Sequence, residues 1–404
     1  MDKRSKLLAI LVAGLVTTSV FVGCGSKDGG SSDDGSASGE KGKLTVWSHW
    51  KGNEFDELVK IADAWGEANN VEVTMHEDEG DFQGIIQVAQ TANGPDMVLG
   101  IPHDNLGTAH KAGILAEVPS EVMGTMTFNS DAILNAVSYD GKNFAVPFAQ
   151  ETSALFVNKD LVATLPTSME EVVEMGKEVG FAYNINDFYF SQAFLGANGG
   201  YVFKNNDGAY DIEDIGLGNE GAIKGLEFIN SLVNEDKLMT SDINGDVAKA
   251  EFLAGKTGFY ISGPWDVADA KEAFNLEVMA LPTLDGNAPT PFSGVQTAFV
   301  NENSSNKDLA WSLMKEFMAK GQDVMYKTGS RIPVQEGYSV DDPITQAFMK
   351  ASETAVPMPN IAEVQAMWTP AADNLKLLTS GQIDAKTAGE NIVTQMKEGI
   401  QQTQ

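Results

Sequence analysis

Glu151 is the acidic residue whose sequence surroundings most clearly suggest a ligand site. It lies in the run from Tyr139 to Leu161, where apolar, β-prone residues stand on both sides of the polar segment 150–153. Pro147 lacks a backbone donor, so a sheet ladder is expected to end near it. Such an extended run predicts a crossing between two compact bodies, where ligands commonly bind. The alternative is an ordinary strand with a solvated glutamate.

The elements before this run predict an α/β fold. Strand patterns occur at 43–47, 71–75 and 96–99, and they alternate with helical patterns that begin near Phe55 and Phe82. This alternation indicates a parallel sheet with covering helices. Ligands in such sheets bind beyond the carboxyl ends of the strands, which are here Ser48 to Lys51 and Ile101 to Asn105.

The residues after Leu161 predict a second body. Helical patterns follow one another with short strands between them, and Gly294 to Val300 is expected to return the chain to the first body. Asp342-Pro343 is a candidate third crossing. The folded length exceeds one comfortable hydrophobic core, so two domains are expected. We assign 43–149 with 297–341 to an N-terminal lobe and 150–296 with 342–404 to a C-terminal lobe.

Residues 1–23 have the layout of an export signal. Basic residues come first, an apolar run from Leu7 to Val22 follows, and Gly23-Cys24 ends it. This resembles the bacterial lipoprotein signal, in which the cysteine receives lipid and becomes the mature N-terminus. A leftover thiol is the alternative for Cys24. Residues 24–42 are rich in Gly, Ser and Asp and predict a disordered tether. We therefore expect a lipid-anchored protein on the extracellular face of the cell membrane.

The charge balance excludes two classes of partner. The chain has a formal net charge of −30, and Asp2 against Lys3, Arg4 and Lys6 gives residues 1–23 a charge of +2, which leaves −32 for the rest. Nucleic acids and anionic lipid surfaces require clustered Lys and Arg, so neither is an expected partner. Cys24 is the only cysteine, so the folded part has no disulfide and depends on its core.

A series of short stretches carries a family resemblance over nearly everything after the tether. They are LTVW (44–47), GPDMV (94–98), His103-Asp104, AGILAEV (112–118), YDGKNFAVP (139–147), FVNKDL (156–161), NGGYVFK (198–204), YDIEDIG (210–216), ISGPW (261–265) and MPNI (358–361) with Trp368. In this order they resemble the maltose- and maltodextrin-binding proteins of bacterial sugar importers. The resemblance implies a two-lobe α/β fold of the periplasmic-binding-protein type, with three interlobe crossings and a central cleft that closes over sugar.

Aromatic residues are the first group of site candidates that the resemblance implies. A glucan offers apolar ring faces, and aromatic planes suit these faces. Trp265 and Trp368 match the family's ring-stacking tryptophans, and Tyr189 matches its stacking tyrosine. Trp47 matches another family position, although a structural role at the end of a strand is equally expected. Trp50 is a candidate replacement for a stacking surface that this chain lacks. Core packing is the alternative for Trp265, Trp368 and Tyr189.

Polar residues form the second group of candidates. Asp104, Glu151 and Asp187 match the family's hydroxyl-binding acids, since charged acceptors make the stronger hydrogen bonds to the edges of a sugar. His49 matches an amide position in the family and has a donor to offer. Asn105 stands where the family has a basic residue. A solvated surface position is the alternative for each acid.

We interpret the chain as a monomeric binding protein that captures malto-oligosaccharides and delivers them to the permease of an ABC transporter. One alternative keeps the fold and changes the ligand to a different oligosaccharide. A second is an extracellular glycoside hydrolase, in which Glu151 and Asp187 would do the acid and base work. His49 and His103 stand at unrelated spacing, so we expect no metal site and no cofactor.

Overall fold

The computed structural model describes residues 41–78, 80–206 and 208–403. The predicted signal peptide, Cys24 and most of the predicted tether lie outside these residues. Among the helices of the described part, none combines the length and the apolar composition that crossing a bilayer requires.

The secondary structure alternates strands and helices, as the sequence predicts. The strands are β1 (Gly42–Ser48), β2 (Val71–Glu77), β3 (Met97–Pro102), β4 (Ser138–Tyr139), β5 (Lys142–Asn143), β6 (Val146–Thr152), β7 (Ala154–Asn158), β8 (Phe181–Ala182), β9 (Lys204–Asn206), β10 (Ala209–Asp211), β11 (Phe259–Ser262), β12 (Leu276–Met279), β13 (Phe292–Val300), β14 (Ile332–Pro333) and β15 (Val356–Pro357). The helices are α1 (Gly52–Asn69), α2 (Phe82–Ala89), α3 (Leu106–Lys111), α4 (Ser120–Met123), α5 (Asp131–Asn135), α6 (Met169–Val179), α7 (Phe188–Ala197), α8 (Glu220–Asn234), α9 (Gly245–Leu253), α10 (Val267–Ala273), α11 (Lys307–Lys327), α12 (Pro343–Ser352), α13 (Gln365–Thr379) and α14 (Ala385–Thr403).

The larger sheet has the strand order β14-β6-β13-β3-β1-β2, with β15 attached to β13. β1 is parallel to both β2 and β3, as the alternation of elements predicts. β13 lies between β3 and β6 and is antiparallel to both. All of its residues are buried. The sheet is therefore mixed, because a strand from far along the chain is inserted at its centre.

The pairing of β6 with β13 corrects one expectation about Pro147. We expected the ladder to end near this proline, but β6 stays paired with β13 as far as Thr152 opposite Ser293. Gln296 of β13 pairs with Ala149, and the next residue, Thr297, pairs with Pro147. The register therefore shifts at Phe148 of β6. A bulge tolerates a residue that has no backbone donor, so pairing continues beyond Pro147.

The smaller sheet has the order β12-β7-β11-β8. Because Ser153 alone separates β6 from β7, the run from Tyr139 to Leu161 passes directly from one sheet into the other. Residues 150–152 and 293–295, which we assigned to the C-terminal lobe, pair with each other in the larger sheet. The exact lobe boundaries and the three crossings stay predictions.

Several helices begin at side chains that cap free backbone donors. Ser168, Asp187, Asn219, Asn244 and Asp342 each accept a hydrogen bond from a backbone N–H in the first turn of the helix that follows. These short polar side chains are the preferred N-cap residues. The cap on α7 matters for the site because it fixes where that helix starts.

Phe156 of β7 lies at the centre of the core around the smaller sheet. Its ring is fully buried and contacts the rings of Phe252, Tyr260 and Phe348, with centroids 6.3, 5.9 and 6.0 Å away. Truncating a buried phenylalanine removes favourable transfer energy and leaves a cavity.

We expect Phe156→Ala to lower the free energy of unfolding by about 3–5 kcal/mol in urea denaturation. Leu161→Ala is the matched control, because Leu161 is exposed and near in sequence. It should change stability by less than about 0.5 kcal/mol. Equal losses in the two variants would contradict this assignment of the core.

Candidate functional site

One cavity brings together most of the residues that the sequence singles out. It has a volume of about 380 Å³ and is lined by Pro102, Asp104, Asn105, Glu151, Asp187, Tyr189, Phe190, Trp265, Met358, Gln365 and Trp368. Seven of the ten predicted ligand-binding residues are in this set. A larger cavity of about 550 Å³ near Met239 and Thr379 has no aromatic side chain in its lining. The 380 Å³ cavity is hereafter called the cleft.

Among the aromatic side chains of the cleft, Trp265 is exposed, Tyr189 and Trp368 are half-buried, and Phe190 is buried. Trp265 is 38% exposed, and its ring centroid lies 6.1 Å from that of Tyr189 and 6.5 Å from that of Phe190. Trp368 packs edge-on against Phe292 with a centroid distance of 6.0 Å. These rings form an apolar wall that can receive the flat face of a ligand.

Trp265 is held in place although its ring is exposed. It lies in a 3-10 helix, Pro264–Asp266, and the Asp266 carboxylate is buried. That carboxylate accepts hydrogen bonds from the hydroxyls of Tyr260 and Ser262 and forms an ion pair with Lys249 at 2.8 Å. Gly263 is required here, because a Cβ at this position would lie 2.2 Å from the indole ring. The ring is therefore preorganised.

Tyr189 offers a hydroxyl with no partner among the described residues. Its Oη is buried and makes no hydrogen bond. Burial raises the pKa of the phenol well above its usual range, with a further contribution from the Glu151 and Asp187 carboxylates. An unpaired buried hydroxyl is costly, so a ligand that bonds to it gains free energy. Asp187 places this ring, because its Oδ1 accepts a hydrogen bond from the Tyr189 N–H at 2.9 Å.

Asp104 follows β3 and is enclosed by amide donors. The Gln365 side chain donates to its backbone oxygen at 3.0 Å and to Oδ2 at 3.3 Å, and the Asn105 amide donates to Oδ1 at 3.2 Å. Burial raises the pKa of Asp104 from 3.8 to about 7, and hydrogen bonds from the Gln365 and Trp368 side chains only partly oppose the shift. The group therefore titrates near neutral pH.

Glu151 faces the cleft from β6 with both oxygens engaged. Oε1 accepts a hydrogen bond from the Gln296 amide at 2.7 Å, and Oε2 forms an ion pair with Arg331. Arg331 also binds Glu54 through Nε at 2.7 Å and Nη2 at 3.1 Å. Burial raises the pKa of Glu151, and the Arg331 guanidinium opposes that shift. Each oxygen keeps a further lone pair for a ligand donor.

Comparison with known proteins assigns this chain to a family. The family model described as bacterial extracellular solute-binding protein matches residues 60–352. The chain belongs to that family.

Relatives cover nearly the whole solute-binding protein. A maltooligosaccharide ABC transporter solute-binding lipoprotein of Streptococcus pneumoniae serotype 4 is 28% identical over 99% of each chain. A galactooligosaccharide-binding protein of Bacillus subtilis is 30% identical over 96% of this chain and 95% of its own. An X-ray structure of the maltose-maltodextrin binding protein of Alicyclobacillus acidocaldarius has a TM-score of 0.83 at 35% identity, over 88% of this chain and 100% of that one. The family resemblance and the two-lobe α/β fold are confirmed.

Three predicted site residues do not line the cleft of this solute-binding protein. Trp50 is only 3% exposed and packs edge-on against Phe148 at 5.5 Å, so the proposal that it replaces a stacking surface is wrong. Trp47 is half-buried beside the core. The His49 side chain is 47% exposed and lies 3.8 Å from the Asp78 carboxylate.

His103 is buried next to Asp104, and both of its ring nitrogens are engaged, so neither is available to a metal. Its Nε2 donates to the Met358 carbonyl at 2.9 Å, and its Nδ1 accepts from the Val295 N–H at 3.0 Å. Burial lowers the pKa of the imidazole to about 4, so the ring is neutral. Residues 41–78, 80–206 and 208–403 contain no cluster of three or more His, Cys, Asp or Glu side chains suited to a metal ion.

Sequence analysis missed the residues that support the acids, above all Arg331 and Gln365. Both come from distant segments, and neither belongs to a recognised stretch. One signal was available for Arg331: the chain contains two arginines, and the other, Arg4, lies in the predicted signal peptide.

The raised pKa of Asp104 predicts a pH-dependent stability. The pKa of Asp104 is about 7 in the folded state and 3.8 at its ordinary value, so the native state favours the protonated acid. The contribution of this group to the free energy of unfolding is therefore complete below pH 3.8 and is lost as the pH rises through 7. We expect Asp104→Asn to raise the melting temperature relative to the wild type at pH 8, and to do so much less at pH 4.5.

Asp160→Asn is the control, because Asp160 is exposed. It should give no pH-dependent difference from the wild type. A melting-temperature difference for Asp104→Asn that is the same at both pH values would contradict the assignment.

Proposed function

We propose that this extracellular solute-binding protein captures malto-oligosaccharides and delivers them to the permease of an ABC transporter. The lipid anchor at Cys24 and the monomeric state belong to the same proposal. The names of the pneumococcal lipoprotein and of the Alicyclobacillus protein support it.

The observation that carries the proposal is the composition of the cleft. It joins the rings of Tyr189, Trp265 and Trp368 to three carboxyl groups and to a phenol hydroxyl that has no partner in the described part of the chain. Aromatic planes suit the C–H faces of sugar rings, and carboxylates suit their hydroxyl edges. A neutral oligosaccharide offers both features in one molecule.

A galacto-oligosaccharide is the second candidate ligand. The Bacillus subtilis relative, which is named a galactooligosaccharide-binding protein, is 30% identical over nearly the whole chain. Both sugar classes offer flat faces and hydroxyl edges, so the chemistry of the cleft accommodates either. The proposal of malto-oligosaccharide follows the pneumococcal and Alicyclobacillus proteins.

The state of Glu151 argues against a hydrolase. A glycosidase needs one carboxyl free to give up a proton and another free to attack or activate water. Both oxygens of Glu151 are engaged by Gln296 and Arg331. A carboxylate fixed in this way is suited to accepting hydroxyl hydrogens and poorly suited to proton transfer.

Calorimetry with a sugar panel tests the proposal. We expect a dissociation constant of about 1 µM or tighter for maltotriose, and weaker binding of galactotriose. Trp265→Ala should weaken binding by about tenfold or more, corresponding to at least about 1.4 kcal/mol, because an exposed stacking face is lost. Met349→Ala is the matched control, since Met349 is also an exposed apolar residue but lies outside the cleft.

The alternatives have distinct outcomes in the same material. Tighter binding of galactotriose than of maltotriose would assign the second ligand class. Release of shorter sugars from excess maltohexaose overnight would favour the hydrolase. Unchanged maltotriose affinity in Trp265→Ala would remove the site assignment.

The anchor is tested by cell fractionation. We expect the wild-type protein in the membrane fraction and Cys24→Ser in the soluble fraction, because the thiol is the proposed site of lipid attachment. Retention of Cys24→Ser on membranes would contradict the anchor and leave the sugar proposal intact.

A further inference from the structure

Arg331 is buried beside the cleft although it is not part of the lining. Its side chain is 6% exposed. In the ladder between β14 and β6, Ile332 pairs with Gln150, so the next position along this antiparallel register sets Arg331 opposite Glu151. The backbone N–H of Arg331 also donates to the Met325 carbonyl at 2.9 Å. Hydrogen bonds thus hold both the backbone and the guanidinium of Arg331.

Glu54 of α1 holds the far side of the same guanidinium. It receives Nε and Nη2 in a two-pronged arrangement, and Nη1 is left for Glu151. Paired contacts of this type fix the plane of the guanidinium as well as its position. Gln296 holds the other oxygen of Glu151. The chain Glu54, Arg331, Glu151 and Gln296 is hereafter called the acid-support network.

The backbone next to Arg331 is built around Glu54. A Cβ at Gly329 would lie 2.2 Å from Glu54 Oε1 and 2.9 Å from the Met325 carbonyl. Only glycine leaves room for the carboxylate at this point. Gly329, in the turn after α11, therefore makes room for the Glu54 side chain of α1. This contact does not involve the cleft.

We propose that Arg331, held by Glu54, is the positioning residue that fixes the Glu151 carboxylate for sugar hydroxyls. This inference rests on the proposed function. Burial alone raises the pKa of Glu151, and the guanidinium opposes that effect and keeps the acceptor in one orientation. Without its partner, the buried carboxyl would protonate or turn away from the cleft.

A contribution to folding stability does not by itself explain why the acid-support network is present. Buried ion pairs lose hydration free energy that their attraction barely offsets, and apolar residues of similar size often stabilise as well. Two polar atoms near the network also lack partners among the described residues: Tyr189 Oη and Gln296 Oε1. A sugar hydroxyl at Glu151 would find a further donor or acceptor in them.

A double-mutant cycle on maltotriose affinity tests the role. We expect Arg331→Met and Glu151→Gln each to weaken binding by about tenfold or more, since a charged acceptor makes the stronger hydrogen bond to a sugar hydroxyl. The double variant should bind within about threefold of Glu151→Gln, because Arg331 acts through Glu151. Arg331→Lys should recover part of the affinity, as it restores charge without the planar fork.

Lys327→Met is the control, because Lys327 forms an exposed ion pair with Asp323 near Arg331 in the sequence. It should leave affinity unchanged. If Arg331→Met does not fold, the same double-mutant cycle on maltotriose affinity is measured with Arg331→Lys or Glu54→Gln, each combined with Glu151→Gln. Losses that simply add, or an unchanged affinity in Arg331→Met, would overturn the positioning role while the sugar proposal stands. A wild type that binds no sugar in the panel overturns both.

A spectroscopic measurement separates positioning from mere folding. In the full chain carrying Arg4→Lys, Arg331 is the only arginine, so ¹⁵N-arginine labelling gives one Nε–H signal. We expect slow exchange with solvent and a shift of this signal on addition of maltotriose. In Glu151→Gln at saturating sugar the shift should be much smaller. An Nε–H chemical shift that does not change on sugar binding in the wild-type background would overturn the proposal.

Discussion

The pairing of β13 with its two neighbours is the constraint on which the site depends. β13 bonds to β3 on one side and to β6 on the other. Asp104 follows the end of β3, and Glu151 lies near the end of β6, so one strand spaces both acids. The His103 contact with the Val295 N–H adds a side-chain tie to the same strand. Ladder hydrogen bonds set the separation of these acceptors before any ligand arrives.

The aromatic half of the cleft is held by local devices instead. The Asp187 cap places Tyr189 in the first turn of α7, and the buried Asp266 fixes the short helix that carries Trp265. Ring-bearing segments that such contacts hold in place have less conformational entropy to lose on binding. Asp104 and Glu151 are thus held by strands of the larger sheet, whereas Tyr189 lies in α7 and Trp265 in the 3-10 helix that follows β11 of the smaller sheet.

The sequence predicted the parts of the site that its local patterns encode. Glu151 stands in a recognisable run, Trp265 ends the stretch ISGPW, and Trp368 follows the stretch MPNI. Arg331 was missed because its partner lies 180 residues away, and pairing across such a separation leaves no local pattern. Trp50 misled for the opposite reason: it follows a strand, as a ligand residue would, but packs onto Phe148, which a reading of its neighbours in the chain cannot reveal.

The balance of charge around the cleft limits the ligands that it can favour. The lining contains three carboxyl-bearing side chains, and no lysine, arginine or histidine is among the lining residues. The nearby Arg331 is already shared by Glu54 and Glu151, so its charge is locally compensated. An anionic sugar would face three carboxyl groups with no lysine or arginine in the lining to pair with, whereas a neutral polyol faces hydrogen-bonding groups and flat rings. Above about pH 7, where Asp104 is ionised, the lining therefore disfavours anionic ligands through charge rather than through shape.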